Sequence, residues 1–257
     1  MSYFTFENKQ VFYQELGSGT PLLLLHGNTA SSKMFEEIAE QYAQNHKVVL
    51  IDFLGHGKSQ RIDEFPNDLW FFEAKQVIAF LDEKNYKRVD LIGSSGGALV
   101  AINVALERPD LIHKVIADSF EGETPLEEFT KNVVELRELS KHDNNAVLFY
   151  SLMHGEDWEQ VVDCDTLAIA NHAKEIGKFF HKPLEQFLPP LLLTGSKEDE
   201  FISAIDPSYF EKVYSKMIGK IDHGEMHLFP KGGHPAMLTS PQEFLTVSEG
   251  FLKKELD

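Results

Sequence analysis

The chain has 257 residues, of which 42% are hydrophobic and 25% are charged, and this composition excludes an intrinsically disordered protein. Its 41 acidic and 24 basic residues give a net charge of −17, which argues against nucleic acid or an anionic membrane surface as a partner. The N-terminal sequence has no signal-peptide pattern, and no apolar run is long enough to cross a bilayer. We therefore expect a cytoplasmic globular protein. Its oligomeric state has no signature in the composition.

Strand and helix patterns alternate along most of the chain. Two aromatic-rich runs, residues 3–7 and 10–15, predict a β-hairpin at the start. Continuous apolar runs predict buried strands at 21–26, 47–51, 89–92, 114–117, 191–193 and 226–229. Helical patterns cover 31–44, 67–84, 95–107 and 241–254. This alternation predicts an α/β fold with a doubly wound, mostly parallel sheet, whose ligand site lies at the carboxyl ends of the strands.

One long segment, residues 123–185, interrupts this alternation with a purely helical pattern. A structureless loop of that length is improbable in a compact domain. We predict a helical cap over the strand ends, with an α/β core formed by residues 1–122 and 186–257. Phe149, Met153 and Trp158, together with Tyr150, are candidates for a substrate pocket in this cap. Packing between cap and core is the alternative interpretation of each of them.

The strongest functional pattern is Gly93-Ser94-Ser95-Gly96-Gly97, which has the form G-x-S-x-G between a predicted strand and a predicted helix. A nucleophile elbow requires this context, because the glycines permit a sharp turn that holds the serine exposed. The N-terminus of the following helix also favours negative charge. The alternative is a glycine-rich turn in which Ser95 merely caps the helix.

Four motifs together resemble the α/β-hydrolase family and occur in that family's order. Besides the serine motif, residues 25–28 (LHGN) resemble its oxyanion loop, residues 52–59 (DFLGHGKS) its D-x-x-G-x-G-x-S turn, and residues 232–235 (GGHP) its histidine loop. The resemblance covers nearly the whole chain except the cap. It implies an α/β-hydrolase fold and a serine hydrolase, without a cofactor, that cleaves an ester-like bond of a small molecule.

The resemblance also implies site residues. Ser95 would be the nucleophile and His234 the base, and the backbone N–H groups of Asn28 and Gly96 would form the oxyanion hole. The acid has three candidates. The family's spacing after Gly195 leads to Glu198, and Asp118 ends a neighbouring predicted strand. We favour Asp199, because the sequence after it, Glu200-Phe201-Ile202, resembles the family's tail if one residue is inserted.

Other histidines have simpler interpretations. His26 and His56 are expected to stabilise their own loops. His223 and His227 have a zinc-helix spacing, but Gly224 and a strand pattern argue against a helix there, so no metal site is predicted. Peptidase, thioesterase and carbon–carbon bond hydrolase remain rival activities, and a non-catalytic ligand-binding receptor is an alternative of another class. A dehalogenase is disfavoured, because its nucleophile would be an aspartate in place of Ser95.

Overall fold

The structure is a computed structural model that describes residues 2–255. Within these residues, an eight-stranded sheet consists of β1 (Ser2–Phe6), β2 (Lys9–Gly17), β3 (Thr20–Leu25), β4 (His46–Ile51), β5 (Val89–Ser94), β6 (Ile112–Asp118), β7 (Leu191–Ser196) and β8 (Gly224–Phe229). The strands lie in the order β1-β2-β4-β3-β5-β6-β7-β8. The pairs β1–β2 and β2–β4 are antiparallel, and the other pairs are parallel. The predicted fold class, an α/β hydrolase fold with a mostly parallel sheet, is confirmed.

Helices follow most of the strands. They are α1 (Glu36–Tyr42), α2 (Leu69–Lys84), α3 (Gly96–Glu107), α4 (Glu127–Ser140), α5 (Asn144–His154), α6 (Trp158–Glu175), α7 (Tyr209–Ile218), α8 (Ala236–Thr239) and α9 (Pro241–Lys253), with 3₁₀ turns at Ser32–Phe35 and Leu184–Gln186. Among the helices of residues 2–255, none combines the length and apolarity needed to span a bilayer.

The sheet is buried on both faces. Leu23 belongs to a core cluster with Val77 of α2, whereas its neighbour Leu24 belongs to a second cluster with Ile38 of α1 and Phe251 of α9. Successive side chains of a strand point to opposite faces, so β3 must be apolar at each of its buried positions, 22–25. This double burial explains why the central strands appear in the sequence as continuous apolar runs rather than as alternating patterns.

Two helical regions differ from the predicted elements. The pattern predicted as one helix over 31–44 begins as the 3₁₀ turn Ser32–Phe35 before α1. The sequence analysis placed no helix at 209–218, where the structure has α7. The signal was present, because the buried residues Phe210, Tyr214 and Met217 of α7 recur at helical spacing.

Three helices, α4, α5 and α6, lie between β6 and β7 and are called the helical insertion here. They occupy 127–175 of the segment for which the sequence predicted helices throughout. Arg61 fastens the insertion to the core: its Nε and the Asp157 Oδ2 atom are 2.7 Å apart, and its Nη2 donates to the carbonyl of His154 over 2.9 Å.

Candidate active site

Ser95 lies in the sharp turn between β5 and α3. Its backbone has φ 55° and ψ −121°, a strained conformation for a residue with a side chain. The turn is fixed by a 2.8 Å hydrogen bond from the Ser95 N–H to the carbonyl of Asp118. A side chain at Gly93 would collide with the carbonyl oxygen of Gly97, so this close chain approach requires glycine. The elbow therefore presents a half-buried serine at the carboxyl end of β5.

A continuous line of hydrogen bonds joins Ser95 to His234 and Asp199. His234, in the loop after β8, has Nε2 3.0 Å from the Ser95 Oγ atom and Nδ1 2.8 Å from Asp199 Oδ2. Asp199 follows β7 and is fully buried, and its Oδ1 accepts the backbone N–H groups of Phe201 and Ile202, each over 2.9 Å. These two backbone bonds orient the carboxylate, so that its other oxygen faces the imidazole ring.

The other two acid candidates occupy different positions. Asp118 accepts the N–H of Met237 at 3.0 Å and the hydroxyl of Thr194 at 2.8 Å, and it makes no hydrogen bond to the His234 ring. Burial, partly offset by these hydrogen bonds, raises the pKa of Asp118 to about 6. Glu198 is exposed to solvent. Of the three carboxylates left open by the sequence, Asp199 is the one bonded to His234.

The environment of His234 favours its protonated form. Burial by itself lowers the pKa of this imidazole, but the hydrogen bond and the negative charge of Asp199 raise it. The net result is a pKa above the ordinary value of 6.5. Glu200, which entered the sequence analysis only as part of the tail after the acid, accepts the backbone N–H of His234 over 2.8 Å and so anchors the histidine loop.

Asn28 and Gly96 line the same cavity as Ser95. Gly96 is the first residue of α3, so its N–H has no acceptor in the preceding turn of the helix. The side-chain amide of Asn28 makes two hydrogen bonds, each over 3.1 Å. Trp70 Nε1 donates to its Oδ1, and its Nδ2 donates to Asp165 Oδ1. Trp70 of α2 also lines the cavity, and the sequence analysis did not identify it as a site residue.

The cavity in front of Ser95 has a volume of about 290 Å³ and a mostly apolar wall. The helical insertion contributes six residues to this wall: Phe129, Arg137, Ala146, Phe149, Tyr150 and Ile169.

Of the three pocket residues that the sequence proposed, Phe149 lines this cavity, whereas Met153 and Trp158 do not. Met153 lies near the end of α5, where its carbonyl accepts the Ser31 hydroxyl over 3.0 Å and its side chain borders a separate groove. Trp158 stacks on the ring of Tyr150, with the ring centroids 5.5 Å apart. Of the predicted group, Phe149 and Tyr150 therefore line the cavity, whereas Met153 and Trp158 make packing contacts elsewhere.

His26 and His56, in two of the loops that resemble the family's motifs, are buried. The Phe53 N–H donates to His26 Nε2 over 3.1 Å and His26 Nδ1 lies 2.9 Å from the Gly27 carbonyl, which stabilises the loop as the sequence predicted. Burial, helped by the nearby His56, lowers the pKa of His26 to about 3. Like His26, which binds the Phe53 N–H, His56 also reaches outside its own turn, because its Nε2 lies 2.9 Å from Asp165 Oδ2 in the helical insertion. The sequence analysis did not predict this contact, because the two residues are 109 positions apart in the chain.

Comparison with known proteins agrees with this architecture. The model of the alpha/beta hydrolase family matches residues 22–247. The 2-hydroxy-6-oxo-6-(2'-aminophenyl)hexa-2,4-dienoic acid hydrolase of Metapseudomonas resinovorans is 22% identical, with 95% of this chain and 88% of that protein covered. Serine hydrolase BPHL of Homo sapiens is 24% identical, with 95% and 83% covered. The esterase EaEST from Exiguobacterium antarcticum superposes with a TM-score of 0.76 over 96% of both chains, at 18% identity. The chain therefore belongs to the alpha/beta hydrolase family and is a hydrolase.

Proposed function

We propose that this hydrolase is a serine hydrolase, which cleaves an ester-like bond of a small molecule through an acyl-enzyme. The observation that carries the proposal is the pair of hydrogen bonds on opposite nitrogens of one imidazole: 3.0 Å to Ser95 Oγ and 2.8 Å to Asp199 Oδ2. A base that reaches the nucleophile and is itself oriented by a buried carboxylate is the arrangement needed to activate a serine hydroxyl.

The proposed reaction uses protein groups and water. Ser95 Oγ bonds to the substrate carbonyl carbon while His234 Nε2 takes the hydroxyl proton, and the N–H groups of Asn28 and Gly96 stabilise the resulting oxyanion. Collapse of this intermediate breaks the bond to the leaving group, which receives the proton from His234. Water then gives a proton to His234 and attacks the acyl-serine carbonyl. As the bond to Ser95 Oγ breaks, His234 returns that proton to Oγ, and a carboxylic acid is released.

The cavity wall supports a proposal on substrate class. Arg137 is a half-buried cation in a mostly apolar wall, and its Nη1 donates to the Tyr150 hydroxyl over 3.0 Å. No carboxylate within residues 2–255 forms an ion pair with it. Because a partly desolvated guanidinium favours an anionic partner, we propose substrates that carry a carboxylate away from the scissile bond. Glu121 also lines the cavity, and burial raises the pKa of its carboxyl group.

Hydrolysis of a carbon–carbon bond beside a carbonyl is the second candidate. The Metapseudomonas resinovorans relative is named as the hydrolase of a hexadienoic acid, a substrate that carries a carboxylate, and Arg137 would suit such a group here. The same nucleophile, base and oxyanion donors would serve either bond. Side-by-side turnover of a carboxylate-bearing aryl ester and a dienoic acid ketone therefore decides between the two activities.

Replacement of Ser95 by alanine tests the proposed mechanism. The half-buried hydroxyl contributes little to packing, so Ser95→Ala should keep the melting temperature of the wild type while kcat for a p-nitrophenyl ester falls by at least ~10⁴-fold. The variant should also escape covalent labelling by a fluorophosphonate. Residual activity within about tenfold of the wild type would reject a serine acyl-enzyme. A wild-type protein that binds esters without sustained turnover would instead be a receptor.

A further inference from the structure

Thr29, directly after Asn28, has a strained backbone. Its φ is 55°, in the left-handed region that β-branched residues rarely occupy. Such a conformation persists only where surrounding contacts hold it, and it is typical of functional sites. The residue that follows a proposed oxyanion donor is therefore kept in place by its neighbours.

The contacts that hold Thr29 come from the helical insertion. The Thr29 N–H donates to Asp165 Oδ2 of α6 over 2.9 Å, and the Thr29 carbonyl accepts a hydrogen bond from His154 Nε2 of α5 over 3.0 Å. These partners lie 136 and 125 residues away in the sequence. Both polar backbone groups of the strained residue thus depend on side chains outside the α/β core.

Asp165 binds the loop at more than one point. Besides the Thr29 N–H, it accepts the Asn28 Nδ2 group over 3.1 Å and the His56 Nε2 group over 2.9 Å. Its side chain is fully buried. A buried carboxylate with donors on both oxygens has one well-defined orientation, because any rotation would leave a charge unpaired.

His154 is equally well defined. The Gly57 N–H donates to its Nδ1 over 3.1 Å, so the proton of the neutral ring must sit on Nε2, facing the Thr29 carbonyl. Burial, with the nearby His56, lowers the pKa of His154 to about 3 and keeps the ring neutral at physiological pH. The ring therefore acts as a fixed donor.

We propose that Asp165 and His154 are positioning residues that hold the Asn28–Thr29 segment in the conformation that directs the Asn28 N–H at the oxyanion. The proposal rests on the proposed function, because it presumes an oxyanion at Ser95. Neither side chain lines the cavity in front of Ser95, so neither is placed to contact a substrate bound there. The helical insertion thus contributes to the rate of the chemical step as well as to the shape of the pocket.

A matched pair of substitutions at His154 tests the polar contacts of its ring, which include the one with Thr29. His154→Gln keeps a side-chain N–H donor near the position of Nε2, whereas His154→Phe keeps the ring and removes the donor. The amide oxygen of the glutamine can also accept the Gly57 N–H, whereas phenylalanine makes neither bond, so the difference between the two variants reports the polar contacts of the His154 side chain. Asp165→Asn is a second perturbation of the same segment. Asn67→Ala is the control, because it removes a bond between the core and Glu175 of α6, and the Asn67 side chain makes no hydrogen bond to Asn28, Thr29, His154 or Asp165.

The readout compares two inhibitors of equal chain length. Ser95 can add to a trifluoromethyl alkyl ketone to form a tetrahedral oxyanion, whereas the methyl ketone only binds. For His154→Phe and Asp165→Asn, we expect the inhibition constant of the trifluoromethyl ketone to rise by about tenfold to a hundredfold, in step with the loss of kcat. KM and methyl ketone binding should stay within about threefold, as should all the constants of His154→Gln and Asn67→Ala.

Variants that lose thermal stability while the ratio of the two inhibition constants stays at the wild-type value would overturn the positioning role. Should Asp165→Asn fail to fold, the His154 pair still decides. A wild-type protein that neither hydrolyses esters nor forms the ketone adduct would refute the proposed function itself. A working wild type with unchanged variant ratios would refute only the role of the insertion.

Discussion

Replacement of Asp199 by asparagine should turn the His234 ring into the wrong tautomer. In the structure, Asp199 Oδ1 accepts two backbone N–H groups, those of Phe201 and Ile202. An asparagine at this position must keep its carbonyl oxygen there, because its NH₂ group cannot accept those bonds. The NH₂ group would then point at His234 Nδ1, where it can only donate.

The tautomer sets the magnitude of the effect. With Nδ1 as an acceptor, the proton of the neutral His234 ring moves to Nε2, which lies 3.0 Å from Ser95 Oγ and could no longer take the hydroxyl proton. We expect kcat to fall by between ~10² and ~10⁴, the upper value being the loss known for the same change in a serine protease triad. The free energy of unfolding should change little, because the two backbone bonds survive and the side-chain volume is conserved.

Asp118→Asn is the matched control for this experiment. Asp118 is equally buried and supports the segment after His234, through the Met237 N–H, without a bond to the ring. Turnover of a p-nitrophenyl ester at alkaline pH and thermal unfolding should be measured for both variants. Asp118→Asn should lower the melting temperature and keep kcat within about tenfold of the wild type. Our reasoning is refuted if Asp199→Asn keeps kcat within about tenfold of the wild type, or if Asp118→Asn loses more of its kcat than Asp199→Asn does.

Three further predictions concern pH and the cavity wall. Neutral His234 is the base, and Asp199 raises its pKa, so kcat/KM should fall as the pH drops through an apparent pKa above 6.5; a profile flat from pH 5 to 8 would contradict this. Phe149→Ala should alter selectivity among acyl chain lengths more than Trp158→Ala does, because Phe149 lines the cavity and Trp158 does not. Equal effects of the two substitutions in a chain-length series would contradict this prediction. Arg137→Met should raise KM by about tenfold for a hydrogen succinate ester and leave KM for a neutral ester of equal length unchanged. The KM of Arg137→Lys for the succinate ester should lie between those of the wild type and Arg137→Met. An equal rise in KM for both esters would exclude carboxylate recognition.

The sequence predicts those features of the fold that local patterns determine. The apolar runs of the central strands follow from burial on both faces of the sheet, and the glycines around Ser95 follow from a turn in which side chains would collide. Which carboxylate after β7 faces His234 is harder to predict, because Glu198 and Asp199 are adjacent residues. Their side chains diverge only once the turn is built, one into solvent and the other towards His234.

The cavity wall was the least predictable part of the site. Phe149 and Met153 are one helical turn apart on α5, but Met153 lies beyond the cavity, beside Ser31. Arg137 and Trp70 line the wall, although nothing in their local sequence distinguishes them from surface and core residues. Which side chains face the cavity depends on how three inserted helices pack against the core. Helical periodicity predicts which residues share one face of a helix, but it does not predict which element that face contacts.

The histidine turn shows how local and distant constraints combine at this site. His56 fits the expected turn motif, but its buried ring bonds to Asp165, which also holds the backbone of Thr29. The segment that shapes the pocket is therefore hydrogen-bonded to the loop proposed to bind the oxyanion. A substitution in α5 or α6 that widens the pocket can shift those bonds and alter kcat together with selectivity. Pocket engineering should consequently preserve His154 and Asp165, and should vary Phe149 and Ile169, which line the cavity.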